Sequence, residues 1–322
     1  MDKRLLIAKP IERELQQFIT YYRDSIHSEN THIQGIIDHI TKSDGKKIRP
    51  ILLLLAAKSC GTINEITYNS AVTIELLHTA SLIHDDVVDE SSLRRGNPSV
   101  NAVFDNKVAV LVGDFFLSTA LIKSVLTGNI DLISNISDLG RNLSEGELSQ
   151  LYIAKEISFN EADYYNVIQK KTASLLSVSM KIGALSVGAS VEDVARFARL
   201  GEYLGICFQL RDDIFDYFGD DIGKPTGNDI REGKVTLPLI YALNRASELQ
   251  RNHYLEILKR QLDEQEIQEL IVFAKENGGV EYTYQSMKSY SQKATDLIEE
   301  MPDSPVKEAL FAAIDYVVDR KY

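Results

Sequence analysis

Two segments of the chain carry the same acidic spacing. One is His84-Asp85-Asp86-Val87-Val88-Asp89 and the other Arg211-Asp212-Asp213-Ile214-Phe215-Asp216, so each contains Asp-Asp-x-x-Asp. On a helix the first and fifth positions of Asp-Asp-x-x-Asp lie about 40° apart and one turn along, so their carboxylates project together. Three acids this close repel one another, and both segments sit in otherwise apolar stretches. A hard, oxygen-preferring cation such as Mg2+ relieves that repulsion while keeping waters and a substrate phosphate as its remaining ligands. One such segment alone reads as a solvated helix end. Two copies, each preceded by an apolar run and followed by a basic loop, point to metal chemistry instead.

The basic positions supply the other half. Gly45-Lys46-Lys47-Ile48-Arg49-Pro50 sets Lys46 and Arg49 three apart before a very apolar stretch, and Arg94-Arg95-Gly96 follows the first acidic segment. Lys170-Lys171-Thr172 interrupts a long apolar run, and Lys224 and Lys234 follow the second acidic segment. Each alone reads as a solvated surface charge. Together, in a chain of net charge −12, they suggest a diphosphate site. Arg grips phosphate oxygens with a planar fork and Lys acts as a point charge. Carboxylates cannot hold a diphosphate directly, so a bridging metal makes the two sets of charges compatible.

Helices must position these groups. With 7 prolines and 18 glycines in 322 residues, punctuation is sparse, which favours long helices. Apolar periodicity predicts helices over 11–26, 48–60, 65–90, 107–127 and 131–155. Ser158-Phe-Asn-Glu161 has the capping-box pattern and opens a helix to about Gly188. Ser190 caps the next, which runs through Asp212 and Asp216. Asn277-Gly278-Gly279 stops a late helix, and Asp303-Ser304-Pro305 starts the last. Stretches 91–106 and 219–235 read as irregular. Composition (44% apolar, 25% charged) is that of a soluble globular protein, and two cysteines, Cys60 and Cys207, fit a reducing cytoplasm rather than a disulfide framework. The richest apolar run, Ile51 to Ala57, is too short to span a membrane. The acidic balance argues against nucleic-acid binding.

In order along the chain, Gly45-Lys-x-x-Arg-Pro50, Glu75-Leu-Leu-His-Thr-Ala-Ser-Leu-Ile-His-Asp-Asp-Val-Val-Asp89, Arg94-Arg95-Gly96, Gly113-Asp114, Lys171-Thr172-Ala173, Phe208-Gln209-Leu-Arg-Asp-Asp213 and Gly233-Lys-Val-Thr-Leu-Pro238 resemble the trans-isoprenyl diphosphate synthases. The likeness is closest to their longer-chain, hepta- and octaprenyl-type members, and it runs from about Gly45 to Pro238. It implies an all-α, single-domain helical bundle around a deep central cavity, with the two acidic segments facing across its mouth, and a cytoplasmic homodimer. It implies Mg2+ held by Asp85, Asp89, Asp212 and Asp216 on an allylic diphosphate that Arg94, Lys171, Lys224 and Lys234 also grip. It assigns isopentenyl diphosphate to Lys46, Arg49, His78 and Arg95, and places Thr172 and Gln209 beside the reacting carbons, so that Lys171, Thr172 and Gln209 form the catalytic set. Asp86 and Asp213 point about 100° from the first aspartate and are expected to play a supporting part. His84 is expected beside the metal rather than on it.

The same resemblance makes the helix before Asp85 a ruler, because a helical turn of about 5.4 Å matches one isoprene unit. A bulky aromatic four or five residues before the first aspartate stops growth in this family. Here those positions are Ser81 and Ala80, with Leu77 a turn further, so the floor is expected from Phe115, Phe116 or Leu121. That favours a product longer than geranylgeranyl diphosphate over the geranylgeranyl or farnesyl alternatives. A class I terpene cyclase, a head-to-head synthase and a non-catalytic partner subunit fit less well. The first two have no use for the second diphosphate site at Lys46, Arg49 and Arg95, and a partner subunit has no reason to keep every motif. Ala80→Phe or Ser81→Phe is expected to shorten the product, read by chromatography of the dephosphorylated chains; an unchanged product distribution would break the ruler argument.

Overall fold

The computed structural model describes residues 3–42, 45–156, 159–218 and 226–319. Apart from one two-stranded hairpin, the regular elements among them are helices, as the periodicity and sparse punctuation require. The described chain divides into two compact units interleaved in sequence. The first holds the described residues up to Gly140, Leu175–Ala198 and Asp303–Leu310; the second holds Arg141–Ser174, Arg199–Pro302 and the described residues from Phe311.

The first unit is built on helix Ile48–Cys60, in which every residue from Pro50 to Ala57 is buried. A helix apolar all round belongs in a core, and Pro50 is tolerated because a first-turn N–H has no helical partner to lose. Beside it runs Glu65–Val88, started by a reciprocal cap in which the Asn64 side chain accepts from the Ile66 and Thr67 amides and Thr67 Oγ1 accepts from the Asn64 amide. Helix Ser174–Ser186 crosses so closely that a Cβ on Gly183 would sit 2.3 Å from the Leu53 carbonyl oxygen. Helix Asn106–Val125, capped by Asp105, packs along Glu65–Val88 through Ala109, Val112, Gly113, Phe116 and Ala120. Its opposite side leaves Val110, Leu111, Leu121, Ile122 and Val125 exposed. The short-run reading missed this element: the whole helix, with mean hydropathy 1.8 in its best window, is long and apolar enough to cross a membrane. Its polar residues are spread too thinly to lower that average.

The second unit packs helices Leu237–Arg245, Glu264–Glu276 and Gly279–Glu299 around Tyr217, Leu239, Leu243, Leu270, Ile271 and Phe273. The expected helix from 161 to about 188 is interrupted. Glu161–Ile168 passes into a π-helical turn, Gln169–Ala173, before Ser174–Ser186 resumes. Its cap is Asn160, whose side chain accepts from the Ala162 amide; Ser158 lies outside the described residues. Ser190 does cap Val191–Asp216, accepting from the Asp193 amide at 3.1 Å, and Ser304 caps Pro305–Asp319 through the Lys307 amide. Nor is 91–106 irregular throughout. Leu93–Arg94 pairs with Asn97–Pro98, turning through Arg95 and Gly96 at φ 52° and 77°, and Val100–Phe104 is a short helix. An Arg in the left-handed region is an uncommon first turn residue, which hides the hairpin from a search for Asn-Gly or Asp-Gly.

Gly183→Ala is expected to lower stability by about 1–3 kcal/mol through overpacking against the Leu53 carbonyl. Gly35→Ala, in helix Thr31–Lys42 with open space at the Cβ position, is expected to be neutral or up to about 1 kcal/mol stabilising. Urea titrations of both variants decide this; equal effects would contradict the close crossing.

Candidate active site

In the first unit one helix face carries Glu75, His78, Leu82 and Asp86, at three- and four-residue spacing, into a cleft. The opposite wall brings Lys47, Arg94 and Arg95. Lys47 Nζ lies 3.1 Å from Glu75 Oε1 and 4.3 Å above the Tyr22 ring. Arg94 lays its guanidinium fork on the buried Asp86 carboxylate, with Nε 3.0 and 3.2 Å from the two oxygens and Nη2 also bonded to Oδ1. Gly45 leaves room for Arg95, since a Cβ there would stand 2.2 Å from Arg95 Nη1.

Arg49 stands behind them with its Nε sealed from solvent and without a hydrogen-bond partner. Burial first, and Arg95 next, lower its pKa to about 10 against the pull of Glu75. Burial holds the His78 imidazole well below its ordinary range, and Arg49, Arg95, Arg94 and Lys47 push it further. The imidazole is therefore neutral, free to donate one N–H without adding charge. A cluster of cations around a neutral donor is a receptor for a multiply charged anion.

Lys46, expected at this cluster, is exposed, and its neighbour Lys47 lines the cleft. The sequence left Glu75 without a role; its signal was the three-residue spacing to His78. Arg94 and Arg95, assigned to two different diphosphates, line the same cleft. Asp85 is half-buried and Asp89 exposed as the helix C-cap, whereas Asp86 is buried, as the 100° offset implies. His84 reaches Asp114 at 3.4 Å and the Val110 carbonyl at 3.3 Å, and a Cβ on Gly113 would collide with its ring. That contact accounts for the Gly113-Asp114 pair. Of the chain-length residues, Ala80, Leu77 and Phe116 are buried, Phe115 packs edge-on to Phe116, and Ser81 donates to the His78 carbonyl. Leu121 is 52% exposed and drops out as a floor.

In the second unit a cavity is lined by Tyr164, Lys171, Thr172, Gln209, Asp213, Asp229 and Lys234, among others. Lys171 and Thr172 sit in the π turn, a local widening that redirects side chains. Gly205 lets the next helix approach within 2.5 Å of the Ala173 Cα as measured from an added Cβ. Lys171 bonds Glu147 at 2.5 Å and Gln150 at 3.0 Å. Thr172 donates to Gln209 Oε1 at 2.9 Å, and Gln209 Nε2 to Asp213 at 2.9 Å. Asp212 is half-buried. Asp216 accepts the Asn228 and Asp229 amides at 2.8 and 3.1 Å, ordering the loop that carries Asp229 and Lys234. Asp229, absent from the expected set because it belongs to no repeated spacing, is drawn in by that loop. Lys224 lies outside the described residues.

Burial raises the pKa of Asp213, Asp216 and Asp229, and for Asp229 the charges of Asp213 and Asp216 add to it. Such an accumulation of oxygen donors is what a divalent cation neutralises. Among the described residues no three His, Cys, Asp or Glu side chains converge as a finished cage. Mg2+ does not require one, since it retains waters and takes phosphate oxygens, so the donor set fits.

The sequence pattern of the family described as Polyprenyl synthetase matches residues 30–273. The chain belongs to that family, whose members are prenyltransferases. It is 37% identical over 318 residues to an octaprenyl diphosphate synthase of Haemophilus influenzae, covering 98% of this chain and 97% of the relative. Among solved structures it is similar to a decaprenyl diphosphate synthase from Rhodobacter capsulatus (TM-score 0.92, 33% identity, 97% and 98% of the two chains covered). It is similar also to a geranylgeranyl pyrophosphate synthase from Bacteroides thetaiotaomicron (TM-score 0.87, 43% identity, 99% and 100% covered). These likenesses confirm the all-α isoprenoid-synthase type of fold.

A neutral His78 has a stability signature. The folded imidazole resists protonation while the unfolded one titrates near its ordinary value of about 6.5, so below that pH the unfolded chain binds more protons. Stability is thus lost as pH falls through about 6.5. Urea titrations from about pH 7.5 to about pH 5 are expected to show the wild type losing stability relative to His78→Gln, which lacks this titration; a pH-independent gap would contradict a neutral buried imidazole.

Proposed function

We propose that the protein condenses isopentenyl diphosphate head-to-tail with an allylic diphosphate, giving an all-trans polyprenyl diphosphate of medium to long chain and releasing diphosphate. The observation that carries this reading is the first-unit cleft, where an acidic protein gathers Lys47, Arg49, Arg94 and Arg95 around a neutral imidazole. Isopentenyl diphosphate is assigned to Lys46, Arg49, His78 and Arg95 of that cluster, with Lys47 beside them. Lys171, Lys234, Lys224 and Arg94 are assigned to the allylic diphosphate, with Asp85, Asp89, Asp212 and Asp216 as the groups that hold Mg2+ on it. The metal, when bound, supplies positive charge to the departing diphosphate. The cationic side chains stabilise the same developing negative charge, and the Thr172 hydroxyl and Gln209 amide present dipoles to the allylic carbon as it becomes positive. The double bond of isopentenyl diphosphate then attacks, and proton loss regenerates an allylic diphosphate.

Both units serve this one activity in our reading, and the family pattern spans residues of each. The exposed apolar side of Asn106–Val125 is assigned to a homodimer interface, in a cytoplasmic enzyme, rather than to a membrane span: one side of the helix already packs on Glu65–Val88, and the helix carries Asp114 and Lys123. Small Ala80 and Ser81 favour the longer product. A geranylgeranyl product is the second reading, supported by the similar Bacteroides thetaiotaomicron structure.

Purified chain with Mg2+, farnesyl diphosphate and labelled isopentenyl diphosphate is expected to give one long polyprenol after dephosphorylation, and none with chelator. A stop at geranylgeranyl would keep the chemistry and move the product to the second reading. No elongation from any primer would refute the reaction and leave a partner-subunit role.

A further inference from the structure

The phenol of Tyr164 has no part in the chemistry outlined above, yet it is buried and donates to Asp213 Oδ2 at 2.5 Å. Asp213 is fully buried, and its other oxygen accepts from Gln209 Nε2, whose amide oxygen accepts from the Thr172 hydroxyl. A single chain of hydrogen bonds thus runs Tyr164, Asp213, Gln209, Thr172, with all four residues lining the second-unit cavity.

We infer that Tyr164 is a positioning residue for the reaction, and that it acts by fixing the orientation of the Gln209 amide through Asp213. The inference rests on the prenyl-elongation reading and adds to it a residue that touches no reacting atom. An amide side chain has two orientations that exchange oxygen and nitrogen. A carboxylate accepts only, so Asp213 takes the Nε2 end and turns the oxygen toward Thr172. The Thr172 hydrogen is thereby spent on Gln209, and the oxygen lone pairs remain for the cavity, where positive charge develops on the allylic carbon. In the reversed amide, Thr172 would accept from Nε2 and aim its hydrogen at that charge, an unfavourable dipole.

Geometry explains why a phenol is needed. Gln209 and Asp213 stand one turn apart on Val191–Asp216, and the Leu237 amide also donates to the carboxylate, but neither bond ties it to the element that carries Thr172. Tyr164 comes from the turn of helix just before the π segment, and Thr172 from within it. The phenol therefore ties the carboxylate to the element that carries Thr172, and closes the chain on both sides of the widened turn. Tyr164 preserves that register only through its hydroxyl, which makes Phe the informative replacement.

The test is steady-state kinetics of the full chain with farnesyl and isopentenyl diphosphates for Tyr164→Phe, Gln209→Leu and the double variant, with melting temperatures alongside. Tyr164→Phe is expected to lower kcat roughly ten- to a hundredfold, the worth of a hydrogen bond to a buried charge. KM for both substrates should stay within about twofold, because ground-state binding is not touched. The double variant should be no slower than Gln209→Leu alone, since the phenol acts only through the amide. Asp213→Asn, whose amide lets Gln209 adopt either orientation, should reproduce the kcat-only loss if Tyr164→Phe proves less stable. Unchanged kcat, multiplicative losses in the double variant, or a loss that tracks KM and melting temperature together would overturn the inference. A wild-type chain without elongation would instead overturn the reaction on which it stands.

Discussion

The structure depends on a problem of like charges. Lys47, Arg49, Arg94 and Arg95 all stand close enough to His78 to act on its charge, in a chain whose net charge is −12, and must do so without driving one another apart. Helix Glu65–Val88 solves it by placing two buried carboxylates on one face, Glu75 against Lys47 and Asp86 against Arg94. Breaking either buried pair would leave an uncompensated charge in low dielectric, which costs more than the pair itself is worth. Arg49 is left partly uncompensated, its Nε without a hydrogen-bond partner, and burial lowers its pKa to about 10. A neutral His78 among them adds a donor without adding to the repulsion.

The second unit meets the opposite problem, an excess of negative charge. Asp213, Asp216 and Asp229 are drawn together by backbone features rather than by side-chain attraction. Asp216 caps the short helix Asn228–Arg231, Gly227 turns through φ 72°, and burial raises all three pKa values. Hydrogen bonds from Tyr164 and Gln209 hold Asp213 in place. The first unit thus gathers cations around a neutral donor, and the second gathers buried carboxylates.

Geometry at close range depends on missing side chains. Gly45 admits the Arg95 guanidinium, Gly113 admits the His84 ring, and Gly205 lets a helix rest against the π turn that carries Lys171 and Thr172. Each of these glycines belongs to or borders a motif that also contains a charged or polar residue. At Gly45 and Gly113 a larger residue would displace the Arg95 or His84 side chain, whereas at Gly205 it would meet the Ala173 backbone and push the two helices apart.

Periodicity and residue type by themselves determined most of the helical architecture, because apolar spacing and caps such as Ser190 and Ser304 act within a few residues. They also fixed the pairing of acidic segments with basic loops and the direction of Asp85 and Asp89 relative to Asp86, since the angular offset on a helix is set by the backbone alone. Tertiary structure decided what depends on a distant partner. It paired Lys47 with Glu75, brought Asp229 beside Asp213, left Leu121 exposed and placed Tyr164 on Asp213. It also opened a π turn where the pattern read as an unbroken helix, because the extra residue is stabilised by packing against Gly205 and Gly146 and leaves no trace in local propensity. Interactions within one turn are written in the local sequence, whereas a burial or a hydrogen bond between residues far apart in the chain exists only once the fold has brought them together.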